Sequence, residues 1–87
     1  MKFTKVYQCK KYGQIVAMRR QDKDGGPEIR VYFLPDSMGV CEFGFGFKND
    51  DDGDAETRLD QAFDTLTYRS ALDLVDGYYS HMTRGAH

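Results

Sequence analysis

Apolar and polar residues alternate along most of the first half of the chain and shift to a helical period in the second. Residues 2–9 place Phe3, Tyr7 and Cys9 on one side of a strand, and Lys10-Lys11-Tyr12-Gly13 supplies a turn in which Gly13 is free to take positive φ. A second strand, 14–20, puts Ile15 and Ala17 on one side and Val16 and Met18 on the other. The polar, Gly-rich segment 21–27 closes on Pro27 and predicts a mobile hairpin loop. Ile29, Val31 and Phe33 stand in phase in a third strand, 28–34, and Pro35-Asp36-Ser37 makes the next turn. A fourth strand, 38–47, points Cys41, Phe43, Phe45 and Phe47 one way and has the strongest two-residue period in the chain.

From Asp54, a good N-cap, the period changes. Leu59, Ala62, Phe63 and Leu66 share one helical face, whereas Ala71, Leu74, Val75, Tyr78 and Met82 share another, rotated by about 100° at the helical repeat. One straight helix cannot bury both stripes. A break near Thr67–Arg69 is therefore expected, with Ser70 capping a second helix that ends near Gly77 or Tyr78-Tyr79. All strands precede all helices, and the connections are too short for parallel crossovers. The expected fold is α+β, ββββαα: a four-stranded antiparallel meander with two C-terminal helices packed on one face. Residues 1–80 form a single domain and 81–87 a flexible tail.

Composition narrows the class without naming a chemistry. Six Phe and six Tyr, 40% apolar and 30% charged residues describe a folded globular chain. Neither a bilayer-spanning run nor an apolar leader is present, so a cytoplasmic protein is expected. Cys9 and Cys41 lie in strand-like runs without a C-x-x-C pair and read as buried free thiols. The net charge of −2 hides an asymmetry: residues 1–35 carry eight bases against three acids, and residues 36–87 carry four against eleven.

Phe43-Gly44-Phe45-Gly46-Phe47 resembles part of the RNA-recognition-motif sequence in which alternating aromatics stack bases. That motif has Lys or Arg at the place of Phe43, an aliphatic residue at Lys48 and an aromatic at Asp50. Its fold also needs a helix between the first two strands. Core packing of the three Phe residues is the simpler reading, with Gly44 and Gly46 leaving the opposite face bare for a partner to approach. Asp50-Asp51-Asp52-Gly53-Asp54 spaces acids around a Gly like a calcium loop, yet aligning Gly53 puts Lys48 and Leu59 at the two essential ligand positions. Anchoring on Gly25 puts Arg20 and Val31 there. No metal, cofactor or catalytic residue is assigned. His81 and His87 lie in the expected tail, and the strand-buried thiols lack the electropositive, exposed setting of a nucleophile.

The remaining signal is charge. Asp50, Asp51, Asp52, Asp54, Glu56, Asp60 and Asp64, with Asp73 and Asp76 beyond, face only Arg58 and Arg69 over the same span. The expected site is an acidic patch formed by the first seven, docking onto a protein with a basic surface such as a nucleic-acid-binding complex. Small acidic single-domain proteins of this build are frequent among phage and mobile-element inhibitors of host defence nucleases, anti-CRISPR proteins included, which makes a non-enzymatic inhibitor of that kind the leading expectation. Lys10, Lys11, Arg19, Arg20 and Lys23 form an opposite, basic pole that reads as edge-strand protection. The alternatives are a nucleic-acid-binding module using these basic hairpins and the Phe-Gly strand, or a structural homodimer.

Overall fold

β-branched and aromatic residues recurring at every second position give the strands one apolar side, and that side needs a cover. The computed structural model supplies it. The structure describes residues 3–21, 23–35, 39–49 and 53–84, with Arg84 described by its backbone alone. Four strands, β1 (Thr4–Cys9), β2 (Gly13–Gln21), β3 (Pro27–Phe33) and β4 (Cys41–Gly46), are followed by α1 (Ala55–Thr65) and α2 (Tyr68–Arg84). The sheet is an antiparallel meander in the order β1-β2-β3-β4. The predicted ββββαα fold is thus observed. The Asp50–Asp52 run, Met38 and His87 lie outside the described residues.

The register places Tyr7 opposite Ile15, Ala17 opposite Val31, and Val31 opposite Phe43, so one continuous apolar face runs across the four strands. Ile15, Ala17, Ile29, Val31 and Phe33 on that face are essentially inaccessible to water. The helices cover it. From α1 it receives Leu59 and Phe63, and from α2 Ala71 and Val75, with Leu66 of the connection between them. α2 crosses the sheet from β1, where Tyr68 meets Tyr7, to β4, where Tyr78 stacks on Phe43 with ring centres 4.6 Å apart.

Several boundaries differ from the sequence reading, each for a local reason. Asp54 caps α1 as expected, accepting the Thr57 N–H at 2.7 Å, and the Asn49 side chain takes the Ala55 N–H at 2.7 Å. The cap of α2 is Thr67, not Ser70: Thr67 Oγ1 accepts the Ser70 N–H at 3.2 Å while Ser70 Oγ accepts the Thr67 N–H at 2.8 Å. That reciprocal pair is a capping box with Ser70 at its third helical position. α2 does not end at Gly77 or at the tyrosines but runs on to Arg84, because its buried and half-buried stripe continues through Tyr78 and Tyr79. Leu74, expected in that stripe, is 38% exposed, and Leu72 packs instead.

Candidate functional site

The acids of α1 follow from helical geometry. Ala55, Leu59 and Phe63 turn inward, so Glu56, Asp60 and Asp64, each one residue further on, form a row along the flank about 100° away. Like charges four apart on a helix repel. Asp60 escapes this by pairing with Arg19, which reaches it from β2. Asp54 uses its carboxylate as the cap, and the Thr57 N–H lowers its pKa below the ordinary aspartate value. Glu56 and Asp64 are exposed and form no ion pair among the described residues. Of the seven predicted patch residues, two therefore serve the fold, two stand free on one flank of α1, and Asp50, Asp51 and Asp52 lie outside the described residues. The acids of α2 are also engaged, Asp73 with Arg69 at 3.7 Å and Asp76 with Lys11 at 3.1 Å.

Several bases are also used by the fold. Lys5 lies in phase with Tyr7 on the inner face of β1 and donates to the carbonyls of Phe63 at 2.5 Å and Leu66 at 3.0 Å. α1 has no base of its own in its last turn, so Lys5 supplies the positive charge that the carbonyl end of the helix favours. Tyr7 Oη donates to the Leu66 carbonyl at 3.0 Å, and burial raises its pKa. Arg19 is not the exposed protective base of the sequence reading. β2 is a central strand, and the Arg19 side chain is only 9% exposed, held between the rings of Phe3 and Phe63 against Asp60.

On the open face, Arg20 and Arg30 share the carboxylate of Glu28 at 3.4 and 3.8 Å, and Arg30 also binds Glu42 at 2.9 Å. This explains Gly44. A Cβ there would sit 2.5 Å from Arg30 Nη1, so the glycine makes room for the protein's own arginine and its surface is not bare. Beside this network lie Val6, Val16 and Tyr32, opposite one another across β1, β2 and β3, and Met18, opposite Thr4 and Arg30.

The turn between β1 and β2 holds a residue whose importance the sequence concealed. Tyr12 is 1% exposed, packs edge-on against Phe33 and Tyr79, and donates its hydroxyl to Asp76. Asp76 is driven below its ordinary pKa by the Tyr12 hydroxyl first and Lys11 next, while desolvation first and the Asp76 bond second push the Tyr12 phenol up. Tyr78 and Tyr79 likewise pack on Phe33 and belong to the core.

An open cleft of about 720 Å³ lies between β1 and α2, with Cys9, Lys11, Tyr68, Leu72 and Asp76 in its wall. Within it Lys11 pairs with Asp76, and the Cys9 thiol beside Tyr68 raises the Tyr68 pKa ahead of desolvation, while Gln8 and Lys10 also line the wall. Both cysteines are free thiols; Cys9 is buried, whereas Cys41, expected to be buried, is half-exposed in the edge strand β4. His81 is exposed on α2. Among the described residues no three His, Cys, Asp or Glu side chains are gathered to hold a metal ion, and no helix is long and apolar enough to cross a membrane.

Lys5 and Arg19 did leave a trace in the sequence: each stands in the inward phase of its strand, where an unpartnered charge would be costly. Their partners lie 41 to 61 residues away and left none. Comparison with protein-family models, curated proteins and solved structures returns no match.

Proposed function

We propose that this protein is a non-enzymatic binding module that docks the acidic 50–54 loop and the Glu56–Asp64 flank of α1 onto the basic surface of another protein. One observation carries the reading, namely the two free carboxylates on one flank of α1 beside an aspartate-rich segment. Of the five bases that suggested a nucleic-acid site, Arg19 is taken by Asp60, Lys11 by Asp76 and Arg20 by Glu28, while Lys10 and Lys23 stand exposed. Glu56 and Asp64 remain free to meet a cation from outside, next to a loop whose sequence adds three further aspartates. With three of those five bases engaged, a basic protein partner is favoured over a phosphate backbone, because phosphate recognition needs unspent Lys and Arg. Surfaces that bind nucleic acid are the commonest basic surfaces. A phage-type inhibitor that competes with DNA or RNA for a nuclease, in the manner of an anti-CRISPR protein, is the specific form this proposal takes.

The test compares the native chain with an Asp51→Lys, Asp52→Lys, Glu56→Lys, Asp64→Lys variant. Glu56 and Asp64 have no ion pair among the described residues, and circular dichroism should show that the variant keeps the fold. The native chain should retain a nucleic-acid-binding protein from its host's extract in a manner weakened by salt, and the variant should not. The isolated chain should shift neither DNA nor RNA in a gel. Equal capture by both chains, or a tight nucleic-acid shift at moderate salt, would reject the proposal.

A further inference from the structure

The two edges of the sheet are finished differently. In β1 the Arg19 N–H bonds the Phe3 carbonyl at 2.9 Å, so odd-numbered residues pair with β2 and Thr4, Val6 and Gln8 turn their backbone groups outward. That edge carries an inward-pointing charge, Lys5, a standard guard against strand addition. In β4 the Phe47 N–H bonds the Pro27 carbonyl at 3.1 Å, so the odd residues pair with β3 and Glu42, Gly44 and Gly46 present N–H and C=O outward. Among the described residues no backbone group bonds them. The strand, CEFGFG, contains neither Lys nor Pro. The core is also unfinished along this side: Phe43, Phe45 and Phe47 are only half-buried, whereas Ile29, Val31 and Phe33 on β3 are 0–2% exposed.

We infer that β4 pairs with β4 of a second copy of this chain, antiparallel, about a two-fold axis through Gly44. The register follows from which groups face outward. With Gly44 opposite Gly44 of the second copy, these two residues exchange both of their backbone bonds, and Glu42 exchanges both of its bonds with the partner's Gly46 on either side of the axis. Every outward backbone group of the strand is then used. An axis through Phe43 would leave Gly46 unpaired, and a slip by one residue would send the phenylalanines to the opposite face of the sheet. The chosen register sets Phe43 beside the partner's Phe45 in a close, non-hydrogen-bonded pair and extends the half-buried aromatic row into a shared core. It sets Glu42 across from a glycine rather than a like charge. The two Arg30 side chains flank a pair of glycines, each held by its own Glu42 at 2.9 Å. A second copy matches this edge in hydrogen bonding, apolarity and charge together.

The experiment is sedimentation equilibrium of the native chain from micromolar to millimolar concentration, with amide hydrogen exchange on the same samples. The expected result is a mass rising to twice 10.0 kDa, with the Glu42, Gly44 and Gly46 amides gaining protection as it rises and those of Thr4, Val6 and Gln8 exchanging quickly throughout. Gly46→Pro removes an outward N–H that the β3 ladder does not use, and its Cβ has room, the nearest atom being the Pro27 carbonyl oxygen at 3.7 Å. The folded variant should stay at the monomer mass, and charge reversal at Glu56 and Asp64 should leave the dimer intact. A native chain monomeric throughout, a dimer whose three β4 amides stay unprotected, or a folded Gly46→Pro protein that still dimerises would each overturn the inference. Should Gly46→Pro fail to fold, exchange in the native chain decides alone.

Discussion

The two faces of the sheet treat charge in opposite ways. On the helix-covered face, Lys5 and Arg19 are single cations, each aimed at one fixed acceptor on α1 or just beyond it: a set of carbonyls for Lys5, a carboxylate for Arg19. On the open face, Arg20, Glu28, Arg30 and Glu42 share their partners in a chain across three strands. Water explains the difference. Away from water a cation needs a dedicated, correctly placed acceptor, whereas Arg20 and Glu42, half-exposed at the ends of the outer chain, tolerate longer contacts in solvent, and the buried Glu28 between them is satisfied by two arginines. The inner cations therefore act as positional devices that fix α1 over β1 and β2, and the outer network shapes a surface.

The contrast is sharpest for adjacent residues of β3. Phe33→Ala should cost about 3–5 kcal/mol, since Phe33 is 2% exposed among four aromatic rings, while Tyr32→Ala on the other face should cost about 1 kcal/mol or less, as urea denaturation would show. Equal losses would mean that the open face is covered in solution.

Next in size is Asp60→Ala, which strands the Arg19 guanidinium under α1. Its loss is set at about 2 kcal/mol, below that of a fully buried pair because Asp60 is itself 45% exposed. Adding Arg19→Met should restore most of this, and a double-mutant cycle reads the coupling directly. Lys5→Met should cost about 1 kcal/mol and fray the last turn of α1, visible as faster amide exchange near Leu66.

The smallest effects concern single surface bonds. Gly44→Ala should cost a few tenths of a kcal/mol, because the far end of Arg30 can move aside at the expense of its bond to Glu42. Asp76 gives a pH signature instead of a large loss. Its folded pKa lies below the ordinary value of 3.8, so its stabilisation is complete above about pH 4 and disappears as pH falls through the folded value. The stability gap between the native chain and Asp76→Asn should be constant near neutrality and close in acid. A gap that widened in acid would contradict the Tyr12–Asp76 bond.

The sequence by itself determined the order of elements, the sidedness of β3 and β4, the Asp54 cap and the break between the helices. All are written in neighbours within a few residues, through alternation, helical spacing and capping chemistry. Its acidic run was equally legible as composition. Only the tertiary structure decided which charges remain available. Arg19 and Asp60, Tyr12 and Asp76, and Lys5 and the end of α1 meet across 41 to 64 residues, and no local pattern encodes such meetings. The start of α2 at Thr67 shows the same limit on a smaller scale. Thr67 and Ser70 are both good caps in sequence, and the choice between them rests on where the helix must begin for Ala71 and Val75 to reach the sheet. Local chemistry specifies elements, whereas the packing of those elements assigns each charge its partner.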